Sequence, residues 1–186
     1  EPTGKWRSKE VMGLDIFVSS LPGICDAGLP VAASRAGCTG LLDLSLIDAD
    51  NATPFASAAQ DPQANIEHLI EQGASGSFGF ILPPEDGHFR TLITSRLDDV
   101  PCIVLTLPLV EDSAGNDVDN DVCNSSVSLD SEYVKFWRQR TKRLGLVVTS
   151  ATEARAASQL GFDFVLAKGS DAGGLVGQET SYVLLQ

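Results

Sequence analysis

The run Cys102-Ile103-Val104-Leu105-Thr106-Leu107 constrains the fold more than any other segment. It carries no charge and is apolar almost throughout, so a strand formed here presents apolar side chains to both of its faces. A strand covered on both faces belongs to a parallel sheet, whose crossovers are helices packed against it. The rest of the chain reads as those crossovers and their partner strands.

Leu14 to Val18 is a short buried strand, and the loop after it is rich in Gly and Pro. Pro30 suits the first turn of a helix that Gly37 ends. Thr39 to Leu44 is a second apolar run. Asp61-Pro62 opens a helix with Ile66, Leu69 and Ile70 on one face and Gly73 as its stop. Ser77 to Leu82 is the third strand, closed by Pro83-Pro84, and Phe89 to Leu97 is the next helix before Pro101 and the fourth strand. Tyr133, Phe136, Trp137 and Leu144 recur with helical spacing up to Gly145, while Lys135, Arg138, Arg140, Lys142 and Arg143 take mostly the other positions. Leu146-Val147-Val148 starts the fifth strand. Ser150 and Glu153 form a capping box for a helix over Ala151 to Leu160, and Phe162 to Ala167 is the sixth strand. Strand and helix alternating at this spacing imply right-handed parallel units of the α/β class.

Composition narrows the partner. With 13 Lys+Arg against 25 Asp+Glu the net charge is −12, which opposes nucleic acid or an anionic membrane surface as the main partner. The longest uncharged stretch, Gln72 to Pro84, falls short of the roughly 18 residues that cross a bilayer. Cys25, Cys38, Cys102 and Cys123 share no CxxC spacing and read as reduced thiols, which places the expected location in the cytoplasm and gives no metal site. The chain begins at Glu1 without a basic-then-apolar leader, and we read it as a segment of something longer.

The stretch from Glu111 to Glu132 interrupts the rhythm with seven acidic residues and no basic one. Asp117, Asp119 and Asp121 alternate as in a calcium loop, but Val122 and Ser128 stand where that loop needs Gly and Glu. The reading is therefore a solvated acidic insertion over about 111–131, with Asp112 to Leu129 expected to be weakly ordered. Asn124-Ser125-Ser126 matches a glycosylation acceptor only formally, and we discount it.

The chemistry is expected at the end of the sixth strand. Lys168-Gly169-Ser170-Asp171-Ala172-Gly173-Gly174 lets backbone amides approach a ligand with few Cβ atoms in the way, and it falls where α/β folds bind ligands. A tight turn is the plain alternative. Gly161 to Gly174 resembles the G-x-D-x-(apolar)-x-x-G-x-(E/D)-A-G-G segment of nitronate monooxygenases, formerly called 2-nitropropane dioxygenases. Leu29 to Gly40 is similar to the helix and A-G-G-x-G turn after that family's first strand, and Gly177 to Gln186 resembles a subgroup at the N-terminus of polyketide-synthase-like proteins.

The resemblance implies a TIM-barrel-like (β/α) fold that holds FMN across its strand ends and oxidises nitronates or, in related enzymes, reduces enoyl thioesters. It implies that Lys168, Gly169, Ala172, Gly173 and Gly174 line the flavin, with Ser19, Ser20, Leu21 and Pro22 beneath the ring. Leu175 occupies the place of the family's catalytic histidine, and leucine cannot move a proton. Of the two histidines, His68 lies off the apolar face of its helix and reads as solvated, whereas His88 follows the third strand. His88 and Lys168 are the catalytic candidates, one as a base and the other as a cation opposite charge developing on the flavin. Each has an ordinary surface alternative, and Asp163 reads as a turn or cap residue.

The implied partner is the remainder of a multidomain synthase, and the competing reading is a catalytically degenerate interaction domain. Length sharpens both. An eight-unit barrel takes about 250 residues and seldom fewer than about 200, whereas this chain has 186 and six countable strands. We therefore expect an incomplete parallel barrel that holds FMN weakly or not at all, with strands one and six open to a partner or to a second copy of the chain.

Overall fold

In a computed structural model of the chain, residues 15–47, 61–73, 76–84, 87–107, 131–172, 176 and 180 are described. The acidic insertion, Cys123, Asn124, Gly173, Gly174, Leu175 and the segment 177–179 lie outside them, as do 181–186. The elements run β1 (Phe17–Ser19), α1 (Gly28–Arg35), β2 (Thr39–Asp43), α2 (Pro62–Gly73), β3 (Ser77–Leu82), α3 (Gly87–Thr94), β4 (Ile103–Leu105), α4 (Ser131–Arg138), β5 (Leu144–Val148), α5 (Ala151–Gln159) and β6 (Phe164–Ala167). All strand pairs are parallel, in the order β1-β2-β3-β4-β5-β6.

Side chains alternate across this sheet into two clusters. On one face Leu42, Phe80, Leu82, Ile103, Leu105, Leu144, Leu146 and Val148 pack with the helix residues Val31, Ile66, Leu69, Phe89, Ile93, Tyr133, Trp137 and Ala157. On the other, Leu41, Ile81, Cys102, Val104 and Val147 gather with Phe17, Phe164 and Leu166. The run that opened the sequence reading is thus covered on both sides, since Ile103, Val104 and Leu105 are all fully buried. Each large side chain buried in this way stabilises the fold by about 1.5–3 kcal/mol.

The sheet is curled. Phe17 on β1 and Phe164 on β6 belong to its two ends, yet their rings stack with centroids 4.9 Å apart. Arg143, just before β5, lies 4.9 Å from the first ring and 5.1 Å from the second, and it pairs with Asp15 at 3.0 Å. Six parallel strands curled over a shared interior, with helices outside, form an incomplete TIM barrel of about six of eight units. Among the described residues no strand pairing joins β1 to β6.

Most boundaries follow local chemistry. Asp61 accepts a hydrogen bond from the Gln63 amide at the start of α2, and Gly37 takes the positive φ of 88° that lets the chain leave α1. The Ser150 hydroxyl accepts from the Glu153 amide at 3.2 Å, while the Glu153 carboxylate reaches back to the Thr149 amide at 2.6 Å.

Several bounds differ from the sequence reading. The first strand is Phe17–Ser19, so Ser19 ends the strand instead of following it, with Leu14 outside the described residues; α3 is Gly87–Thr94 and not Phe89 to Leu97, and β6 starts at Phe164 and not at Phe162. Leu144 and Gly145 belong to β5, not to the helix before it, which ends at Arg138. Tertiary packing overrides the helical period there, because a Cβ at position 145 would lie 2.5 Å from the Phe164 ring. The glycine makes room for the ring and does not stop a helix. No helix among the described residues is long and apolar enough to cross a membrane.

Candidate functional site

The strand ends that carry the site are the C-terminal ends of β1, β2 and β6. Alternation along β2 puts Asp43 on the same face as Leu41, and alternation along β6 puts Lys168 on the same face as Phe164 and Leu166. Both side chains therefore belong to the barrel interior at its mouth. Even-numbered strands contribute to the same interior layers in this fold, so β2 and β6 can meet across the mouth although four strand steps separate them in the sheet.

They do meet. Lys168 Nζ lies 3.8 Å from Asp43 Oδ2, with the carboxylate fully buried and the lysine side chain 17% exposed. Asp43 is held from three directions. Its amide donates to Ser20 Oγ at 2.8 Å, and its Oδ1 accepts from the Ser45 amide at 2.9 Å and from the Ser45 hydroxyl at 2.5 Å. Oδ2 is buried with no hydrogen-bond partner among the described residues. At 3.8 Å the ammonium is beyond the roughly 2.7–2.9 Å of a charge-assisted hydrogen bond, so the pair attracts without closing. A buried acceptor left in this state costs about 1–3 kcal/mol.

Of the residues singled out from sequence, the structure brings Ser20 and Lys168 into one cluster. Ser20 is buried, and its amide also donates to the Leu41 carbonyl at 2.9 Å. Ser19 and Leu21 are exposed and Pro22 is half-buried. Lys168 is tied at its backbone to the Val148 carbonyl, and Gly169 is buried with its carbonyl accepting from the Ala172 amide at 3.0 Å. Gly173, Gly174 and Leu175 lie outside the described residues. His88 sits exposed in the first turn of α3 with its ring edge-on to Phe89 at 5.7 Å, and none of the contacts around Asp43 involves it. His68 is exposed. Asp163 accepts from the Leu144 amide at 2.7 Å and from Arg138 at 2.8 Å, which ties α4, β5 and β6 together at the opposite end of the sheet.

Asp43 and Ser45 are the residues that sequence reasoning passed over. The signal was present in the strand Thr39-Gly40-Leu41-Leu42-Asp43, where a carboxylate ends an otherwise uncharged, fully buried run. Lys, Glu, Arg and Asp are almost never fully buried unless paired, so such a residue calls for a partner.

No protein-family model matches the chain, and no curated protein matches it. Among solved structures, FabK from Thermotoga maritima is similar, with a TM-score of 0.61 at 21% identity over 91% of this chain. That similarity covers 45% of FabK, so the chain spans under half the length of that protein. At this identity the likeness is one of fold, and it agrees with the incomplete TIM barrel that the strand order and the curled interior show.

A cation and a buried acceptor side by side at a barrel mouth suit the edge of a polar heterocycle more than an apolar ligand. Residues of this chemistry are compatible with a flavin ring, for which Lys168 would supply the cation.

Proposed function

We propose that this chain is a segment of an FMN-dependent domain like the nitronate monooxygenases and enoyl reductases, belonging to a polyketide or fatty-acid-type synthase. The observation that carries the reading is the Lys168–Asp43 pair, with one charge from the glycine-bearing end of β6 and the other from β2. The fold likeness to FabK supports the enoyl-reductase form of the reading. Bound FMN would supply hydride transfer to or from a substrate. The protein's part is then to hold the ring. Lys168 would supply the cation that stabilises negative charge on the bound ring, Gly169 would bring backbone close without a side chain, and Ser20 and Ser45 keep Asp43 from turning.

One observation favours a second reading. Leu175 stands where the resembled family has its proton-transferring histidine, and in this second reading the domain is catalytically degenerate and serves as an interaction domain of the synthase. Mixing FMN with the intact parent protein, in which the barrel is complete, separates the two. A bound flavin spectrum that bleaches on reduction supports the enzyme form, and absence of any bound flavin at millimolar FMN sinks it.

A further inference from the structure

The outside of the barrel carries a cluster of charge that the flavin reading does not use. The chain has a net charge of −12, yet the stretch from Ser131 to Arg143, α4 and the turn after it, holds five of its 13 Lys and Arg (Lys135, Arg138, Arg140, Lys142 and Arg143) beside one acidic residue, Glu132. Three of these cations are matched within the chain, Lys135 by Glu132 at 3.0 Å, Arg138 by Asp163 at 2.8 Å and Arg143 by Asp15 at 3.0 Å. Arg140, and Arg90 on the preceding helix α3, form no ion pair among the described residues. Both guanidiniums lie instead on the Phe136 ring of α4, 5.1 Å from its centroid for Arg90 and 4.2 Å for Arg140. A ring attracts a cation through its quadrupole but carries no charge, so two like charges gathered on one ring remain unneutralised.

Beside them opens a cleft of about 350 Å³ lined by Arg90, Glu132, Tyr133, Lys135, Phe136 and Gln139. A guanidinium stacked on a ring presents its N–H edge in a fixed direction, so less freedom is lost when a carboxylate arrives. The size and openness of the patch select among anions. A nucleic acid or a membrane surface reaches far beyond it and meets the negative charge of the remaining surface. A single small anion needs an enclosed site, whereas both guanidiniums here are half-buried beside exposed Lys135 and Gln139. A short acidic stretch of polypeptide suits the patch. Neighbouring carboxylates along it reach the two guanidiniums while its backbone lies in the cleft.

We infer that the α3–α4 face is a docking site for an acidic segment of a partner polypeptide, with Arg90 and Arg140 each holding a carboxylate and Phe136 keeping both guanidiniums in place. This site lies outside the barrel and is independent of whether a flavin occupies the mouth. The chain's own acidic stretch, 111–130, has the same chemistry and is the rival occupant.

The test titrates the full chain into two labelled peptides, one of alternating Glu and Gly and its Gln counterpart, and follows fluorescence anisotropy in about 0.1 M salt, where charges farther away than about 10 Å are screened. The wild-type chain binds the Glu peptide at least about tenfold more tightly than the Gln peptide, and the preference disappears near about 1 M salt. Arg90→Gln and Arg140→Gln each weaken the Glu peptide about fivefold. Arg35→Gln, which alters an arginine of α1 bonded to Gln72, leaves its affinity unchanged. Equal affinity of the wild-type chain for the two peptides overturns the inference, and that arm needs no variant to fold. An equal loss from Arg35→Gln and Arg140→Gln overturns it as well, since any cation would then serve. If the Glu peptide binds only after residues 112–129 are replaced by a neutral linker, the face belongs to the chain's own acidic stretch and the assignment to a partner falls.

Discussion

The two ends of the barrel interior share the same strands and solve opposite problems. At the N-terminal end, Phe17 and Phe164 stack across the open side of the sheet, Arg143 covers both rings, and Asp15 neutralises it. These two rings, the guanidinium and the carboxylate are partnered by one another. At the C-terminal end the same β1, β2 and β6 deliver Ser20, Asp43 and Lys168, and one buried oxygen has no hydrogen-bond partner among the described residues. Two residues along β6 separate Leu166, packed in the apolar interior, from Lys168 in the polar mouth. An end that satisfies itself reads as stability, and an end that leaves a polar atom unmatched reads as binding.

The largest expected effect that could break this contrast concerns Cys102, in the apolar interior cluster. Burial pushes its thiol up to about 12 from 9.0, which makes the thiolate about a thousandfold rarer at pH 8. Alkylation of native Cys102 at pH 8 is expected to run about a thousandfold slower than in the urea-unfolded chain, followed by mass spectrometry. Fast labelling would show that the interior is wet. The same shift makes stability depend on pH. The unfolded chain loses the thiol proton above about pH 9 while the folded chain keeps it to about 12. The contribution of Cys102 is therefore whole below about pH 9 and lost as pH rises toward about 12, and burial gives Cys25 the same dependence.

Next in size is a pair of substitutions, one at each end. Phe164→Ala removes a half-buried ring and its stack, for a loss of about 2–3 kcal/mol in urea unfolding. Asp43→Asn is expected to cost about 1 kcal/mol, because the Ser45 bonds to Oδ1 remain and the partly exposed ammonium of Lys168 can turn to water. A larger loss from Asp43→Asn than from Phe164→Ala would mean that the mouth, too, is built for stability. Smallest is Asp15→Asn. The Asp15 side chain is 67% exposed, so breaking its pair with Arg143 shifts stability by a few tenths of a kcal/mol. That difference should vanish in about 1 M salt, and a salt-independent loss would show that the pair does more than lie on the surface.

Legibility from sequence followed the range of the interactions. Ser77–Leu82 could be read with its true bounds because a strand between glycine-rich and proline-rich joints is signalled locally. Helix α5 was legible for a similar reason, since Ser150 and Glu153 sit a fixed three residues apart. Leu144 was misplaced because it continues a helical period, while the ring of Phe164 that demands a strand there lies nineteen residues downstream of Gly145. In the site, Lys168 and Ser20 could be picked out by their place after strands, but Asp43 hid inside an apolar run because its partners come from β1, from the turn after β2 and from β6.

The sequence by itself determined the α/β class, the order of six strand units and the glycine-bearing end of the last strand, since periodicity, caps and turn residues act within a few neighbours along the chain. Only the tertiary structure decided that the sheet curls until Phe17 meets Phe164, and that Asp43 and Lys168 share one mouth. The physical reason is distance along the chain. Asp43 ends β2 and Lys168 follows β6, with α2, α3, α4 and α5 between them, and only the curl of the sheet brings their side chains to 3.8 Å.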